Sequence, residues 1–489
     1  MTDGGAIVRE GHFIDGASRA SASGGTFDVT APYDGRLVGR AARGGMEEVA
    51  YAVTAARRAF AAWSSIPAGD RERALLRAAD AVEAHVDGKD GLVDLLVDES
   101  GSTLAKARGE IAYAAQLLRA AAGEARRLYG DTMPNDRGDR LSLVLREPLG
   151  VVAVISPFNA PVALLAKMVA FPLAAGNTVV AKPSEETPLV AVAFARICHA
   201  AGLPSGVLNV VTGLGRECGE PLVAHPGVRG VAFTGSTATG VAILQRAATT
   251  MKRVQLELGG KNPLLVLGDV DPEEAAKTAL AGAFAHAGQI CMAASRILVE
   301  RAIAPAFTAA MVRGAEAMHL GDLRDPRTAY GPLISDASVK KVQQHVDEAV
   351  AAGASILTGG SVHHRRVYRP TLLAGVPRTC AAWRDETFGP VASIVEVEDL
   401  DEAIAAANDS AYGLSAGVLT SDVKRAFAAA RRIRCGSVHI GAHAFHSNAL
   451  APIGGYGMSG IGRSGGKYSV DAFTEVKWVS LDAGPEEAR

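Results

Sequence analysis

The sequence predicts an α/β fold built on a doubly wound parallel sheet. From Gly150 onward, short runs of Val, Ile and Ala alternate with longer helix-like stretches. That order packs helices on both faces of a parallel sheet through right-handed crossovers. Composition supports a large core: 48 % of the 489 residues are hydrophobic and 21 % are charged, which excludes global disorder. At about 100–200 residues per domain, the length corresponds to two to four domains.

Taken in order, the chain opens with strand and turn signals at Phe13-Ile14-Asp15-Gly16 and Ala31-Pro32-Tyr33-Asp34-Gly35. A helical region spans 46–127, with Ala74, Leu75, Ala78, Ala79 and Val82 at helical spacing. Its breaks fall at Pro67-Ala68-Gly69-Asp70 and Asp87-Gly88. Buried parallel strands are expected at 151–155, 178–181, 207–211 and 231–233. Helices are expected over 162–174, 189–201 and 237–249, with a short one over 215–224. A second α/β region runs over 264–455. The segments 140–146 and 476–481 read as strands outside the main sheets, and such strands need partners, for instance another subunit's sheet edge.

Lys and Arg number 50 against 52 Asp and Glu, for a formal net charge of −2. This balance leaves no bulk footprint for nucleic acid or an anionic membrane surface. No run of about 20 apolar residues predicts a membrane-spanning helix. Residues 1–10 lack the apolar core of a signal peptide. The five cysteines lie far apart, odd in number and without a C-x-x-C pair. That argues against a disulfide framework or zinc finger and for a reducing, cytoplasmic setting.

Several segments carry possible chemistry. Phe233-Thr234-Gly235-Ser236-Thr237-Ala238-Thr239-Gly240 joins a strand to a helix, where glycines and a helix N-terminus suit a phosphate; an ordinary turn explains it equally well. Lys182-Pro183-Ser184-Glu185 follows another strand. Lys182 and Glu185 there could grip ribose hydroxyls, with Glu185 repelling a 2′-phosphate, or Ser184 could simply cap a helix. Cys291, in Gly288-Gln289-Ile290-Cys291-Met292, is either a small buried hydrophobe or a nucleophile. Glu257 is a carboxylate in an apolar strand, a costly placement unless paired, protonated or functional. His439, His443 and His446 have a metal-like spacing, but no nearby carboxylate or Cys completes a site, so loop histidines are the better reading and no metal is expected.

Together these segments resemble the aldehyde dehydrogenase superfamily across nearly the whole chain. Ser156-Pro157-Phe158-Asn159 looks like the family's P-W-N segment and Lys182-Pro183-Ser184-Glu185 like its K-P-S-E. Phe233-Thr234-Gly235-Ser236, Glu257-Leu258-Gly259-Gly260-Lys261, Gly288-Gln289-Ile290-Cys291, Glu386-Thr387-Phe388-Gly389-Pro390 and Pro452-Ile453-Gly454-Gly455 follow in the family order. The resemblance implies a Rossmann-type coenzyme domain (1–127 and 149–259), an α/β catalytic domain (260–457) and a small β oligomerisation arm (128–148 and 468–489). A homodimer or homotetramer is implied as well. It further implies Cys291 as nucleophile, Asn159 as oxyanion donor and Glu257 as the base that activates water. NAD is the implied coenzyme, with NADP as an alternative. Its implied contacts are Ile155, Ser156, Pro157, Phe158, Lys182, Ser184, Glu185, Gly215, Gly219, Phe233, Gly235, Ser236, Thr239, Leu258, Gly259, Glu386 and Phe388.

This sequence departs from the family pattern in places. Phe158 stands where Trp is usual, and Gly457 replaces a common Lys. Many members carry Lys nine residues after the Asn; here that position is Met168 and Lys167 stands one earlier, so the resemblance assigns no proton relay there. These departures, with Ile290 and Met292 beside the cysteine, resemble the branch acting on aromatic aldehydes. Met168, Met292 and Phe445 would then line an apolar substrate tunnel, unless they are simply core. The segment 435–462 contains no Lys or Arg to anchor a substrate carboxylate. The expected activity is therefore oxidation of a small aromatic or bulky apolar aldehyde. Aliphatic aldehydes or semialdehydes are the alternative, and transfer to coenzyme A a further one that Glu257 disfavours. A non-catalytic scaffold would need none of Cys291, Asn159 and Glu257.

Overall fold

The computed structural model describes residues 8–88, 91–136 and 139–482. Residues 1–7 of the leading segment and 483–489 of the expected arm lie outside the described residues.

The helical region divides into Met46–Ser65, Ala68–Ala84, Leu92–Ser100 and Leu104–Ala125. Two breaks fall where Pro67 and Gly88 predict them. A third, at Gly101, has no Pro or Asp signal. Gly101 adopts φ +66°, and a Cβ there would stand 2.8 Å from Pro332. Thr103 then starts the next helix, its hydroxyl accepting from the Lys106 N–H.

Residues 151–257 build the parallel centre of an eight-stranded sheet, as the alternating pattern predicts. Its strands are Arg253–Glu257, Val228–Thr234, Val151–Ile155, Thr178–Lys182 and Leu208–Val210, in that spatial order. Antiparallel strands close both edges, Gly460–Ile461 on one side and His12–Ile14 with Ala17–Arg19 on the other. Register pairs Ile155 with both Lys182 and Phe233, and Thr234 with Glu257. The C-terminal ends of these strands therefore reach one common edge, where sheets of this kind bind ligands. The short helix expected over 215–224 is instead a π-turn, Gly215–Gly219, running into Glu220–Ala224.

A second, seven-stranded sheet contains Asn262–Val266, Ala294–Glu300, Val391–Val397, Thr371–Ala374, Ser415–Leu419 and Ser437–Ile440, all parallel, with Ser355–Thr358 antiparallel at one edge. Only Leu258–Lys261 separates Glu257, the last residue of a strand in the first sheet, from Asn262, the first of a strand in the second. The C-terminal edge of one sheet thus meets the N-terminal edge of the other. The two strands outside these sheets pair with each other: Arg140–Pro148 runs antiparallel to Thr474–Asp482 along its full length, and Asp131–Met133 lies on its other side.

Glu99 ties two helices together. Its carboxylate accepts the N–H groups of Leu189 and Val190, each at 2.8 Å, at the start of the helix Pro188–Ala200. Complete burial nonetheless pushes its pKa up to about 8 from 4.5, against the pull of these bonds. A folded value above the unfolded one means stability that is full below the unfolded value and lost as pH rises through the folded one. Melting curves should therefore show wild-type Tm falling relative to Glu99→Gln as pH rises from about 4.5 to about 8. Parallel Tm profiles would contradict this assignment.

Candidate active site

Of the expected site residues, Cys291, Asn159 and Glu257 meet at the junction of the two sheets, while Lys182, Gly215 and Gly219 line a second cavity. One cavity of about 200 Å³ is lined by Asn159, Glu257 and Cys291, together with Thr234, Glu386 and Phe388. These residues come from the ends of strands in the first sheet and from the turns that lead into strands of the second.

Cys291 is partly exposed, whereas the other four cysteines are buried, and all five are free thiols. The turn before it is strained: His286 and Ala287 adopt φ +48° and +56°, followed by Gly288 at +68°. A left-handed backbone in residues other than glycine is costly and is found where the fold imposes it. Gly288 has no alternative, because a Cβ there would stand 2.2 Å from the Gly389 carbonyl oxygen. Gln289 fastens the turn through its side chain, donating to the Pro332 carbonyl and accepting from the Ile334 N–H. The Cys291 and Ala293 carbonyls both accept from the Asn262 amide, at 2.8 and 3.0 Å. Desolvation first, then the charges of Glu386 and Glu257, push the Cys291 thiol up to about 12. At rest it is a neutral thiol.

Asn159 donates one amide N–H to the Gln289 carbonyl at 2.8 Å. That bond fixes which way the amide points and leaves a second N–H for another acceptor. Lys106 donates to the Asn159 backbone carbonyl and pairs with Glu110. Glu257 ends its strand with both carboxylate oxygens accepting from Lys167 Nζ, at 3.0 and 3.1 Å. The Lys167 and Glu257 side chains are 3 % and 9 % exposed, so this is a buried ion pair. It accounts for the carboxylate in an apolar strand.

A second cavity, of about 670 Å³, lies along the helix Thr237–Ala248. Ile155, Lys182, Gly215, Gly219 and Thr239 line it. Ser236 caps that helix, accepting from the Thr239 N–H, and the remaining N–H groups favour an anion. Lys182 pairs with Glu185 at 3.0 Å. Burial alone would raise the Glu185 carboxyl, but Lys182 and the Gly215 N–H outweigh it and hold the acid below its usual range. Ser184 accepts from the Glu186 N–H and so serves as a local cap. Nearer the cysteine, burial pushes Glu386 up to about 7 although the Gly260 N–H bonds to it. Phe158 and Phe388 meet edge to face with ring centres 5.9 Å apart. Gly235 and Gly259 leave bare backbone, because a Cβ would come within 2.5 Å of the Phe233 ring or 2.3 Å of the Glu386 carboxylate. Ser156 is buried with an unpartnered hydroxyl. A polar ligand with phosphate and hydroxyl groups fits this cleft.

The three expected tunnel residues do not line either cavity. Met168 is packed in the main core and accepts a hydrogen bond from Thr234 at 3.4 Å. Met292 is 5 % exposed, and Phe445 stacks on His443. The His439 and His446 rings pack 5.3 Å apart. Among the described residues, no group of three or more His, Cys, Asp or Glu side chains is placed to hold a metal. Sequence reasoning missed Arg216 and Arg246 in the larger cavity, Lys341 in the smaller one, and Asn262 behind the cysteine. Arg246 had a signal, since Thr239, Ala242 and Arg246 share one helical face.

The sequence model of the aldehyde dehydrogenase family matches residues 19–479, and the chain belongs to that family. It is 37 % identical over 475 residues to a glutarate-semialdehyde dehydrogenase of Pseudomonas putida, covering 97 % of this chain and 98 % of that protein. It is 38 % identical over 478 residues to a vanillin dehydrogenase of Pseudomonas fluorescens, covering 96 % and 98 %. Among solved structures, an NAD-dependent aldehyde dehydrogenase from Sinorhizobium meliloti superposes with a TM-score of 0.95 at 39 % identity, covering 99 % of this chain and 96 % of that one.

Removing one partner of a buried ion pair typically costs about 3–5 kcal/mol. Lys167→Met should therefore lower stability by about that much, and adding Glu257→Gln should recover most of the loss. Denaturant unfolding of the two single variants and the double variant measures this; purely additive losses would contradict the pairing.

Proposed function

We propose that the protein oxidises an aldehyde to the carboxylic acid, with NAD preferred over NADP, and that its substrates are short semialdehydes. The observation that carries the reaction is the meeting of Cys291, Asn159 and Glu257 in one cavity beside a cleft suited to a dinucleotide.

Cys291 Sγ attacks the aldehyde carbon. Burial keeps the thiol protonated at rest, so its proton must leave the sulfur before attack. That proton passes to solvent, which leaves the Glu257 carboxylate, in the same cavity, free for the later step. The oxyanion accepts from the free Asn159 N–H and from the Cys291 backbone N–H; losing one such donor costs about 2.7–4 kcal/mol. A bound nicotinamide supplies the hydride acceptor. Glu257 then takes a proton from water, which attacks the thioester left on Cys291 and frees the acid. Glu386 would accept a ribose hydroxyl. Lys182 and Glu185 would meet the second ribose, where the Glu185 charge disfavours a 2′-phosphate.

The glutarate-semialdehyde relative supports a semialdehyde substrate over the aromatic one that the sequence departures point to. The absence of Lys and Arg from 435–462 loses its force, because Lys341 lines the smaller cavity from the helix Asp336–Ala351. An aromatic substrate remains the second reading, favoured by the vanillin-oxidising relative. Hydrolysis is favoured over transfer to coenzyme A because Glu257 is held in place.

The division into coenzyme domain (1–127 and 149–259), catalytic domain (260–457) and arm (128–148 and 468–489) belongs to this proposal. So does assembly into a homodimer or homotetramer, supported by Val476, Trp478 and Leu481 exposed on the arm. Five free thiols support a cytoplasmic setting, and no helix of the described residues is long and apolar enough to cross a membrane.

The test is NADH formation with succinic and glutaric semialdehydes, hexanal, benzaldehyde and vanillin, each with NAD or NADP and with or without coenzyme A. The semialdehydes with NAD should give the highest kcat/KM, independent of coenzyme A, and Cys291→Ala should be silent. Faster turnover of the aromatic members would overturn the substrate reading. A requirement for coenzyme A would overturn the hydrolytic one.

A further inference from the structure

A cavity of about 430 Å³ opens at the opposite edge of the first sheet, among residues that begin its strands. Gly150 and Val151 line it from one strand, and His225, Gly227 and Arg229 from the approach to another. A five-residue strand, about 17 Å long, separates this cavity from the candidate active site.

Among the described residues, neither arginine of this cavity has an ion-pair partner. Arg57, on the helix Met46–Ser65, and Arg229 both line the cavity, with His225 beside them. The charges acting on His225 are those of Lys252 and Arg57, and the one acting on Lys252 is that of Arg229. None of these is acidic. Neighbouring cations behave differently: Arg58 pairs with Asp15, and Arg253 pairs with Glu475. Both arginines are exposed, so an anion entering the cavity from solvent can reach them.

The geometry is arranged for such an anion. Gly227 leaves room for an arginine stem, since a Cβ there would stand 3.1 Å from Arg57 Cδ. His225 Nδ1 accepts the Gly227 N–H at 3.0 Å, which places the imidazole proton on Nε2 as a donor. Lys252 donates to Thr250 at 2.7 Å and adds its charge from behind. Phe60 and Pro226 supply an apolar wall. We propose that this cavity binds a small phosphate-bearing molecule of at least two negative charges, gripped by the Arg57 and Arg229 guanidinium groups. Guanidinium matches phosphate in bidentate geometry, and the volume exceeds what a single phosphate fills.

The test is calorimetric titration of the full chain with inorganic pyrophosphate, with inorganic phosphate as a second arm and NADH present in excess to fill the coenzyme cleft. One pyrophosphate per chain should bind, more tightly than phosphate. Arg57→Gln with Arg229→Gln should weaken that binding at least about tenfold while NADH binding and aldehyde turnover stay unchanged, which also shows that the variant is folded. Absence of pyrophosphate binding in the wild type would overturn the proposal, as would undiminished binding in the double variant. A variant that changes only the oligomeric state would also overturn it, by assigning the charges to a contact with a second copy of the chain.

Discussion

The crossing from Glu257 to Asn262 is the constraint on which the site depends. It is the short bridge between the two sheets, and it is held from every side. The Gly235 N–H bonds to the Glu257 carbonyl, and the Leu258 N–H to the Ser459 carbonyl. Ser459 donates its hydroxyl proton to the Gly259 carbonyl at 2.7 Å, and Arg296 donates to the Lys261 carbonyl at 2.7 Å. No side chain fits at Gly260, where a Cβ would lie 2.7 Å from the Cys291 carbonyl oxygen. One end of the bridge carries the carboxylate, and the other end, through Asn262, clamps the turn that bears the thiol. Moving either sheet would therefore misplace both groups together.

Electrostatics at this junction hold the resting site quiet. Burial and two carboxylates keep Cys291 protonated, and Lys167 holds the Glu257 carboxylate. A protonated thiol is a poor nucleophile and resists oxidation. In the proposed mechanism a proton must leave the sulfur before attack. The strained turn at His286–Gly288 precedes the thiol, and its cost is met by the Gln289 bonds to two separate segments, at Asn159 and at Pro332–Ile334.

Much of this was legible in the sequence because the governing signals are local. Buried parallel strands read as unbroken apolar runs, and their C-terminal ends carried the Lys182, Ser236 and Glu257 segments to one edge. The motif order marks Cys291 and Glu386 as site residues. What escaped depends on long-range contact. Lys167 sits on a helix buried nearly all round, where periodicity does not say which side chain meets Glu257. Asn262 acts through carbonyls of a different segment, and no spacing rule marks it. The resemblance to an aromatic-aldehyde branch points to Met168, Met292 and Phe445 as tunnel or core residues, and packing puts Met168 in the core and Phe445 against a histidine. The two strands of the arm were visible, but their pairing with each other, rather than with another subunit, is a fact of register.

The most direct measurement is mass analysis of the covalent intermediate. Glu257→Gln enzyme would be mixed with a semialdehyde and NAD, quenched in acid within one turnover, and digested. The peptide carrying Cys291 should gain the mass of the acyl group and accumulate in the variant, while wild-type enzyme clears it. NADH formation with an unmodified Cys291 peptide would contradict the account, because it would place the thiol outside the reaction.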